Sequence, residues 1–228
     1  PISGMILSRM NSSMATTIAR AREIRRLVPD QRVLFFATIL LASLPFYMLL
    51  NVLSHGAPTA PFLSSLAAEI PLSPVWSLAY YMTFFLYFLP LAVGWRTRTL
   101  LPVIHAYLFL NLVSFVVFIF YPFSYPRPQI VPADFTSWVL ALIYMADAPH
   151  NTFPSLHVSM ALTAAFASWR LHRTAGIVGL IAASAVAAST LLVKQHYVMD
   201  VIAGAGLAGV AYLLFLHRLP RVDAPCRY

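Results

Sequence analysis

The sequence predicts an all-helical polytopic membrane protein, a bundle of six transmembrane helices. Hydrophobic residues make up 60% of the 228 residues and charged residues only 10%, and the mean hydropathy is +0.77. Soluble domains usually carry about a quarter charged residues, so this deficit indicates a chain that lies in a bilayer. The apolar residues are also gathered into long uncharged runs, which is the pattern of spanning segments.

A spanning helix needs about 20 apolar residues. Six segments reach or approach that length. The predicted spans are Val33–Leu53, Val75–Val93, Leu100–Phe120, His157–Trp169, Ala175–Val193 and Val198–Leu216. The fourth is short, although its apolar pattern continues to Leu171. Ahead of it, a proline-rich loop is followed by Trp138–Met145, which is too short to span and is predicted to be re-entrant or interfacial.

The chain is predicted to form one membrane domain, residues 33–217, between a basic N-terminal segment, 1–32, and a tail, 218–228. The stretch from Ala15 to Arg32 is interpreted as a basic amphipathic helix on the inner leaflet, or as a solvated tail that only sets topology. A single cysteine, Cys226, excludes a disulfide framework or a thiolate zinc cluster within the chain.

Basic residues are distributed unevenly between the two ends of the spans. Six spans put both termini on one side, and that side holds thirteen of the fifteen Lys and Arg residues. The opposite side holds only Arg127 and Lys194. By the positive-inside rule we expect both termini in the cytoplasm and the opposite face toward the periplasm or cell exterior. The membrane also explains the net charge of +8, so no nucleic-acid partner is expected.

Three polar segments fall at the outer ends of the predicted spans and therefore predict a single site. They are Tyr125–Pro128, which contains Arg127, Pro154–His157 at the start of the fourth span, and Lys194–Asp200 at the start of the sixth. Three further residues are expected to support the site: Tyr125, Asp147 and Asn151.

Pro154-Ser155-Leu156-His157 predicts a helix start with proline in the first turn, where its missing N–H would be unpaired anyway. The amides of Ser155, Leu156 and His157 would then be free to bind a phosphate at the positive end of the helix dipole. The alternative is a plain helix start with no ligand.

His196 and Asp200 are four residues apart and share one helix face. A carboxylate there can accept the proton of one imidazole nitrogen and leave the other as a nucleophile or base. The alternative is a structural hydrogen bond between helices. Polar residues inside the second and third spans are assigned to interhelical hydrogen bonds: Tyr80, Tyr81, Tyr87, His105 and Asn111.

At these segments the sequence resembles the type 2 phosphatidic acid phosphatase superfamily, and is most similar to the branch of inositol phosphorylceramide synthases and sphingomyelin synthases. The resemblance is carried by Arg127 with Pro128, by Pro154-Ser155 with His157, and by His196 with Asp200. Their order and spacing and the six-span frame agree with the superfamily, so the resemblance covers nearly the whole chain.

The resemblance implies a two-step transfer that needs neither metal nor cofactor. His196 would attack phosphorus to form a phosphohistidine, with Asp200 fixing its tautomer, and His157 would protonate the departing alcohol and then activate the acceptor. The phosphate oxygens would be bound by Arg127 and by the amides of residues 155–157. The expected partners are a membrane lipid substrate and a lipid alcohol acceptor or water. The sequence predicts no oligomeric state.

Departures from the superfamily pattern indicate a less cationic site. Phe120 stands where the family's phosphatases carry lysine, Leu156 replaces the glycine of their Pro-Ser-Gly-His, and Ser189 and Thr190 stand at their Ser-Arg pair. Lys194 is expected to replace one missing cation. A phosphodiester carries one negative charge and a phosphomonoester up to two, so the sequence favours a diester substrate, with a monoester phosphatase as the alternative.

Three other functions are considered. A rhomboid-type protease would need a Gly-x-Ser-x motif at a helix start, which the sequence lacks. A zinc site of His157, His196 and Asp200 is disfavoured by the neighbouring cations, which repel a metal and attract phosphate. A transporter or scaffold would need polar residues along the spans, whereas the fifth and sixth become small and apolar below the site.

Overall fold

The computed structural model describes residues 30–59, 67–95 and 100–219. These ranges contain two isolated β-bridges and are otherwise built from helices and loops. The helices are α1 (Gln31–Leu53), α2 (Pro74–Val93), α3 (Leu101–Phe120), α4 (Phe135–Ala146), α5 (Leu156–Leu171), α6 (Arg173–Leu192) and α7 (Val198–Leu216). Two of them include π-helical segments, Thr38–Ser43 in α1 and Tyr212–Leu216 in α7.

This architecture confirms the predicted class of a polytopic helical membrane protein. Five of the described helices, α1, α2, α3, α6 and α7, are long and apolar enough to cross a membrane. The predicted fourth span forms α5, which has only 16 residues. Twelve of these 16 are buried, because α5 packs against α2, α3, α6 and α7. Because α5 contacts protein rather than lipid, it can carry the polar residues Ser159, Thr163 and Ser168. Its sequence is therefore less hydrophobic than that of the other predicted spans.

Successive spans run in opposite directions, so their termini gather at two ends of the bundle. At one end, the Ser73 amide donates to Leu192 and the Ser155 amide donates to Asp200. At the other end, Gln31 accepts from the Leu100 amide and Arg170 donates to the carbonyl of Leu219. The first will be called the site end, because it holds all three predicted polar segments.

The helix starts at the site end are fixed by side-chain caps. The Asp134 carboxylate accepts from the Ser137 amide, and the Ser137 hydroxyl accepts from the Asp134 amide, which is a capping box that begins α4. Ser155 is the N-cap of α5 and accepts from the Val158 amide. Pro154 therefore precedes the N-cap, and the prediction that it lies within the first turn of the helix is wrong.

Two tyrosines at the site end, Tyr125 and Tyr197, lie inside the protein. The rings of Tyr125 and Tyr197 are 4.5 Å apart, and the residues are 4% and 1% exposed. They pack together because the Tyr197 hydroxyl donates to the carbonyl of Ser124. Trp138 and Tyr121, by contrast, are exposed.

The basic segment and the tail lie mostly outside the described residues. Of the predicted amphipathic helix, only Asp30 to Arg32 is described, where Asp30 caps α1 by accepting from the Arg32 amide. The domain boundaries at 32 and 217 therefore remain predictions.

Gly204 allows α7 to approach the start of α5. A Cβ built on Gly204 would lie 2.6 Å from the Ser155 carbonyl oxygen, whereas one on Gly206, on the same helix, would meet nothing within 4 Å.

We expect Gly204→Ala to lower stability by about 1–3 kcal/mol, the usual cost of overpacking, and Gly206→Ala to be neutral. Thermal unfolding of both variants in detergent checks this. Equal melting temperatures for the two would contradict the close approach.

Candidate active site

Two buried imidazoles face each other at the site end. The Nδ1 atom of His157, in the first turn of α5, is 3.5 Å from the Nε2 atom of His196, which precedes α7. The ring centroids are 5.7 Å apart, the ring planes are inclined at 62° to each other, and the residues are 9% and 6% exposed. The sequence placed both histidines at the same depth, and the structure brings them into contact.

The facing arrangement depends on backbone hydrogen bonds that hold the starts of α5 and α7 together. The Ser155 amide donates to the Asp200 carbonyl at 3.0 Å. The His196 amide donates to the carbonyl of Thr190 at 3.1 Å, which folds the connection between α6 and α7 back on itself. Lys194 makes this turn with a positive φ of 57°. The two histidines are thus positioned by the backbone of three helices.

Asp200 fixes the orientation of His196. Its Oδ2 atom lies 3.3 Å from the His196 Nδ1 atom and also accepts from the Tyr197 amide at 2.9 Å. Asp200 is 1% exposed. An ionised carboxylate can only accept, so His196 carries its proton on Nδ1 and directs the lone pair of Nε2 toward His157.

The start of α5 offers fewer free amides than the sequence predicted. The Ser155 amide is used by the Asp200 carbonyl, and the Ser155 hydroxyl caps the helix. The amides of Leu156 and His157 are the first two of α5 and have no acceptor within the helix. An anion bound here would therefore meet the amides of Leu156 and His157, and Ser155 would support the helix start.

Arg127 reaches the site from the loop after α3. Its guanidinium donates to the carbonyl of Asp147 and to the Oε1 atom of Gln195, the neighbour of His196. It also lies 4.8 Å above the ring of Tyr144. Its Nε atom is buried and donates to no described residue. Arg127 is therefore a rigidly held cation beside the histidine pair.

Lys194, the second predicted cation, uses its charge within the protein. The ammonium donates to the carbonyls of Ala67 and Ile70, which lie in the segment before α2. Lys194 is 8% exposed, and burial lowers the pKa of its ammonium from the ordinary value. A phosphate would therefore have to compete with these two carbonyl oxygens for the Lys194 ammonium.

The positions where the superfamily's other cations are expected supply no charge here. Phe120 is 71% exposed at the end of α3. The hydroxyls of Ser189 and Thr190 donate back to the carbonyls of Val186 and Ala187 in their own helix. Of the described residues, Arg127 is thus the cation most available to a bound phosphate.

Asp147 is the centre of a second buried cluster, which the sequence did not predict in full. Its carboxylate accepts hydrogen bonds from Tyr47 at 2.7 Å, from Tyr80 at 2.9 Å and from Asn51 at 3.2 Å. The Tyr80 hydroxyl also lies 2.8 Å from the Nε2 atom of His157. Asp147 had been predicted as a supporting residue, whereas Tyr47, Asn51 and Gln195 had no predicted role. Tyr80 is predicted to make an interhelical hydrogen bond, and its partners are Asp147 and His157.

The loops above the site are joined across the bundle. The Asn151 side chain accepts from the Ser54 hydroxyl at 2.8 Å, and Asn151 itself has a positive φ of 57°. The ring of His150 lies 5.8 Å from that of His55. Burial, together with the positive charges available to His55 and Arg127, lowers the pKa of His150. Asn151, a predicted supporting residue, therefore supports the loops rather than contacting the two histidines.

Two cavities reach the site from different directions. An apolar cavity of about 210 Å³ lies between α1 and α2 and extends from Ile39 and Phe88 to His157 and Asp147. A second, of about 580 Å³, lies on the loop side and is lined by Arg127, Lys194 and the segment Ala67–Leu72. His157 and Arg127 thus border two different cavities, and the second is the one that holds both cations.

Comparison with known proteins identifies a family. A family model described as the PAP2 superfamily matches residues 52–214. The matched range contains both histidines, Asp200, Arg127, Asp147 and Tyr80, and begins just after Tyr47 and Asn51. Searches of curated proteins and of solved structures return no significant match.

The contacts of Lys194 generate a test of its role. We expect Lys194→Met to destabilise the protein by about 1.5–3 kcal/mol, because two buried carbonyls lose a charged donor. Thermal unfolding checks this, with Arg218→Met as a control that removes an exposed cation. An unchanged melting temperature with a raised KM would instead indicate that Lys194 binds the substrate phosphate.

Proposed function

Because the chain belongs to the PAP2 superfamily, we propose that this membrane-embedded lipid phosphatase or phosphotransferase works through a phosphohistidine on His196. The observation that carries the proposal is the facing pair of imidazoles, in which His196 is backed by Asp200 and its free nitrogen points at His157. A nucleophile held by a carboxylate and opposed by a second acid–base group is the arrangement that covalent transfer needs.

In the first transfer, the Nε2 lone pair of His196 attacks phosphorus and the bond from phosphorus to the leaving oxygen breaks. His157 gives its Nδ1 proton to that oxygen, which departs as an alcohol. Asp200 holds the Nδ1 proton of His196 and stabilises the positive charge of the ring as its other nitrogen becomes phosphorylated.

In the second transfer, an acceptor hydroxyl enters where the alcohol has left. His157 takes its proton on Nδ1 as the new oxygen–phosphorus bond forms and the bond from phosphorus to His196 breaks. Water as acceptor gives hydrolysis, and a lipid alcohol gives headgroup transfer. The same two residues serve both reactions, so the identity of the acceptor decides between hydrolase and transferase.

The phosphoryl oxygens are bound by Arg127 and by the amides of Leu156 and His157. Arg127 is already held by Asp147 and Gln195, so it needs little reorganisation when charge develops on the oxygens. Neither step of the proposed transfer uses a metal.

The apolar cavity between α1 and α2 supports a lipid substrate. It ends on His157, the residue that protonates the leaving alcohol. A lipid entering sideways from the bilayer would keep its tail among residues such as Leu44, Met48 and Phe84, and bring its phosphate to the histidines. The alcohol that departs is then the one that carries the tail.

A phosphodiester fits the charges of the site better than a monoester. Arg127 is the available cation, since Lys194 is engaged with carbonyls and Ser189 and Thr190 bond within their own helix. One positive charge balances the single negative charge of a diester. The alternative is a lipid phosphomonoester phosphatase, as the wider superfamily resemblance implies.

The site is proposed to face the periplasm or cell exterior, with both termini in the cytoplasm. Of the described basic residues, Arg32, Arg170, Arg173 and Arg218 lie at the end of the bundle away from the site. The positive-inside rule gives that end the cytoplasmic side.

We expect His196→Ala to abolish turnover and the acid-labile labelled intermediate, because His196 is the residue proposed to form the bond to phosphorus. The purified protein, in lipid, would be given radiolabelled phosphomonoesters and phosphodiesters with and without an alcohol acceptor and with a strong chelator. His105→Ala, a histidine on α3 remote from the site, is the control.

Activity in His196→Ala equal to that of the control would rule out the phosphohistidine. Preference of the wild type for monoesters would reject the diester proposal, and loss of activity with chelator would reject metal independence.

The cavity also gives a direct test of lipid binding. Leu44→Trp narrows the cavity, and we expect kcat/KM for a long-chain substrate to fall by about tenfold or more, as when a closely fitting apolar site meets extra bulk. A short-chain soluble substrate should be affected less. Leu41→Trp, on the exposed face of the same helix, is the matched control. Equal effects on both chain lengths would place the tail elsewhere.

A further inference from the structure

The Asp147 carboxylate is held by hydrogen bonds on both of its oxygens. Oδ1 accepts from the hydroxyl of Tyr47 and the amide of Asn51, both on α1, and Oδ2 accepts from the hydroxyl of Tyr80 on α2. The carboxylate side chain is 14% exposed. Since its donors come from two spans and its backbone from the end of α4, Asp147 is fixed in position.

Tyr80 connects this carboxylate to His157. Its hydroxyl is 2.9 Å from Asp147 Oδ2 and 2.8 Å from His157 Nε2, whereas the carboxylate is 4.0 Å from that nitrogen. A tyrosine hydroxyl has one proton, and the carboxylate can only accept. The hydroxyl therefore donates to Asp147 and accepts from the Nε2–H of His157, and Tyr80 is only 2% exposed.

The direction of these bonds determines which nitrogen of His157 can work. With the Nε2 proton held by Tyr80, the Nδ1 atom is left to exchange protons, and Nδ1 is the atom that faces His196. The other tautomer would put two acceptors against each other at Tyr80 or break the bond to Asp147.

We infer that Asp147, acting through the hydroxyl of Tyr80, is a positioning group that fixes the tautomer of His157 and stabilises its charged form. The inference rests on the proposed function and deepens it, by giving the acid–base histidine a carboxylate of its own. Asp200 contacts His196 directly, whereas Asp147 is connected to His157 through the Tyr80 hydroxyl. The Nε2 proton stays between His157 and Tyr80 throughout, while the Nδ1 proton passes to the leaving oxygen and is regained from the acceptor.

The leaving group distinguishes this role from a structural one. An alkoxide must be protonated as it departs, whereas p-nitrophenolate is a weak base that departs without a proton. The test uses phosphoesters with the same headgroup whose leaving group is either a long-chain primary alcohol or a p-nitrophenol that carries an alkyl chain of the same length on its ring. Release is measured in the first turnover, before the second transfer.

We expect Tyr80→Phe to slow release of the alkyl alcohol by about tenfold to a hundredfold. This effect is smaller than or equal to the effect of losing a general acid completely, which is about 10²–10⁴-fold. Its KM should not change, because Tyr80→Phe keeps the ring that lines the apolar cavity and removes only a hydroxyl whose partners are Asp147 and His157. Release of p-nitrophenol should stay within about threefold of wild type. Asp147→Asn should behave in the same way and serves as the second variant if Tyr80→Phe does not fold.

Tyr107→Phe is the matched control, since the Tyr107 hydroxyl is also buried in the bundle but donates to the carbonyl of Tyr87, away from the histidines. Equal slowing of both leaving groups, or alkyl release as fast in Tyr80→Phe as in Tyr107→Phe, would overturn the inference while leaving the proposed function intact. A wild-type protein that releases neither leaving group would overturn the proposed function, and the positioning role with it.

Discussion

The hydrogen bond from the Ser155 amide to the Asp200 carbonyl sets the separation of two helix starts, and the geometry of the site depends on that separation. It ties the first turn of α5 to the first turn of α7, where His157 and His196 meet. Gly204 makes the bond possible, because a side chain there would collide with the Ser155 carbonyl. A displacement of a few tenths of an ångström at this point would change the gap of 3.5 Å between the two imidazoles.

The polar groups around this hydrogen bond are buried, so leaving any of them without a partner would cost free energy. Unpaired polar groups cost several kcal/mol in a medium without water, so each buried carboxylate needs donors from the protein. Asp200 is supplied by Tyr197 and His196, and Asp147 by three side chains of α1 and α2. The first two spans are therefore connected to the chemistry, although neither carries one of the predicted motifs. The same network restricts each histidine to one tautomer.

Most of the fold could be predicted from the sequence, because the hydrophobic runs are long and their ends are marked by polar residues. The last predicted span, Val198–Leu216, has the bounds of α7, and the others lie within about three residues of the helices. The hydrophobic pattern is weakest in α5. This helix is surrounded by protein, so it does not need the apolar surface that contact with lipid would require. Local patterns also could not show that Ser155 is the N-cap, so that Pro154 lies ahead of the cap rather than in the first turn of the helix.

The site was predictable to the extent that its residues stand in short motifs. His157, His196, Asp200 and Arg127 do, and the fold collects them at one end of the bundle. Tyr80 and Tyr47 lie within apolar spans, where a tyrosine is ordinarily a packing residue, and their partner Asp147 is separated from them by 67 and 100 residues. No spacing rule joins residues so far apart. The contacts of Lys194 with Ala67 and Ile70 were hidden for the same reason.

The enclosure of α5 has a consequence for how the protein meets membranes of different thickness. Lipid-facing helices respond to hydrophobic mismatch by tilting, at a cost of a fraction of a kcal/mol per ångström. The 16-residue helix that carries His157 is shielded by its neighbours and has little lipid contact of its own. Its length is therefore not set by the bilayer, and the outer helices can adapt to a thicker or thinner membrane while α5 stays in register with α7.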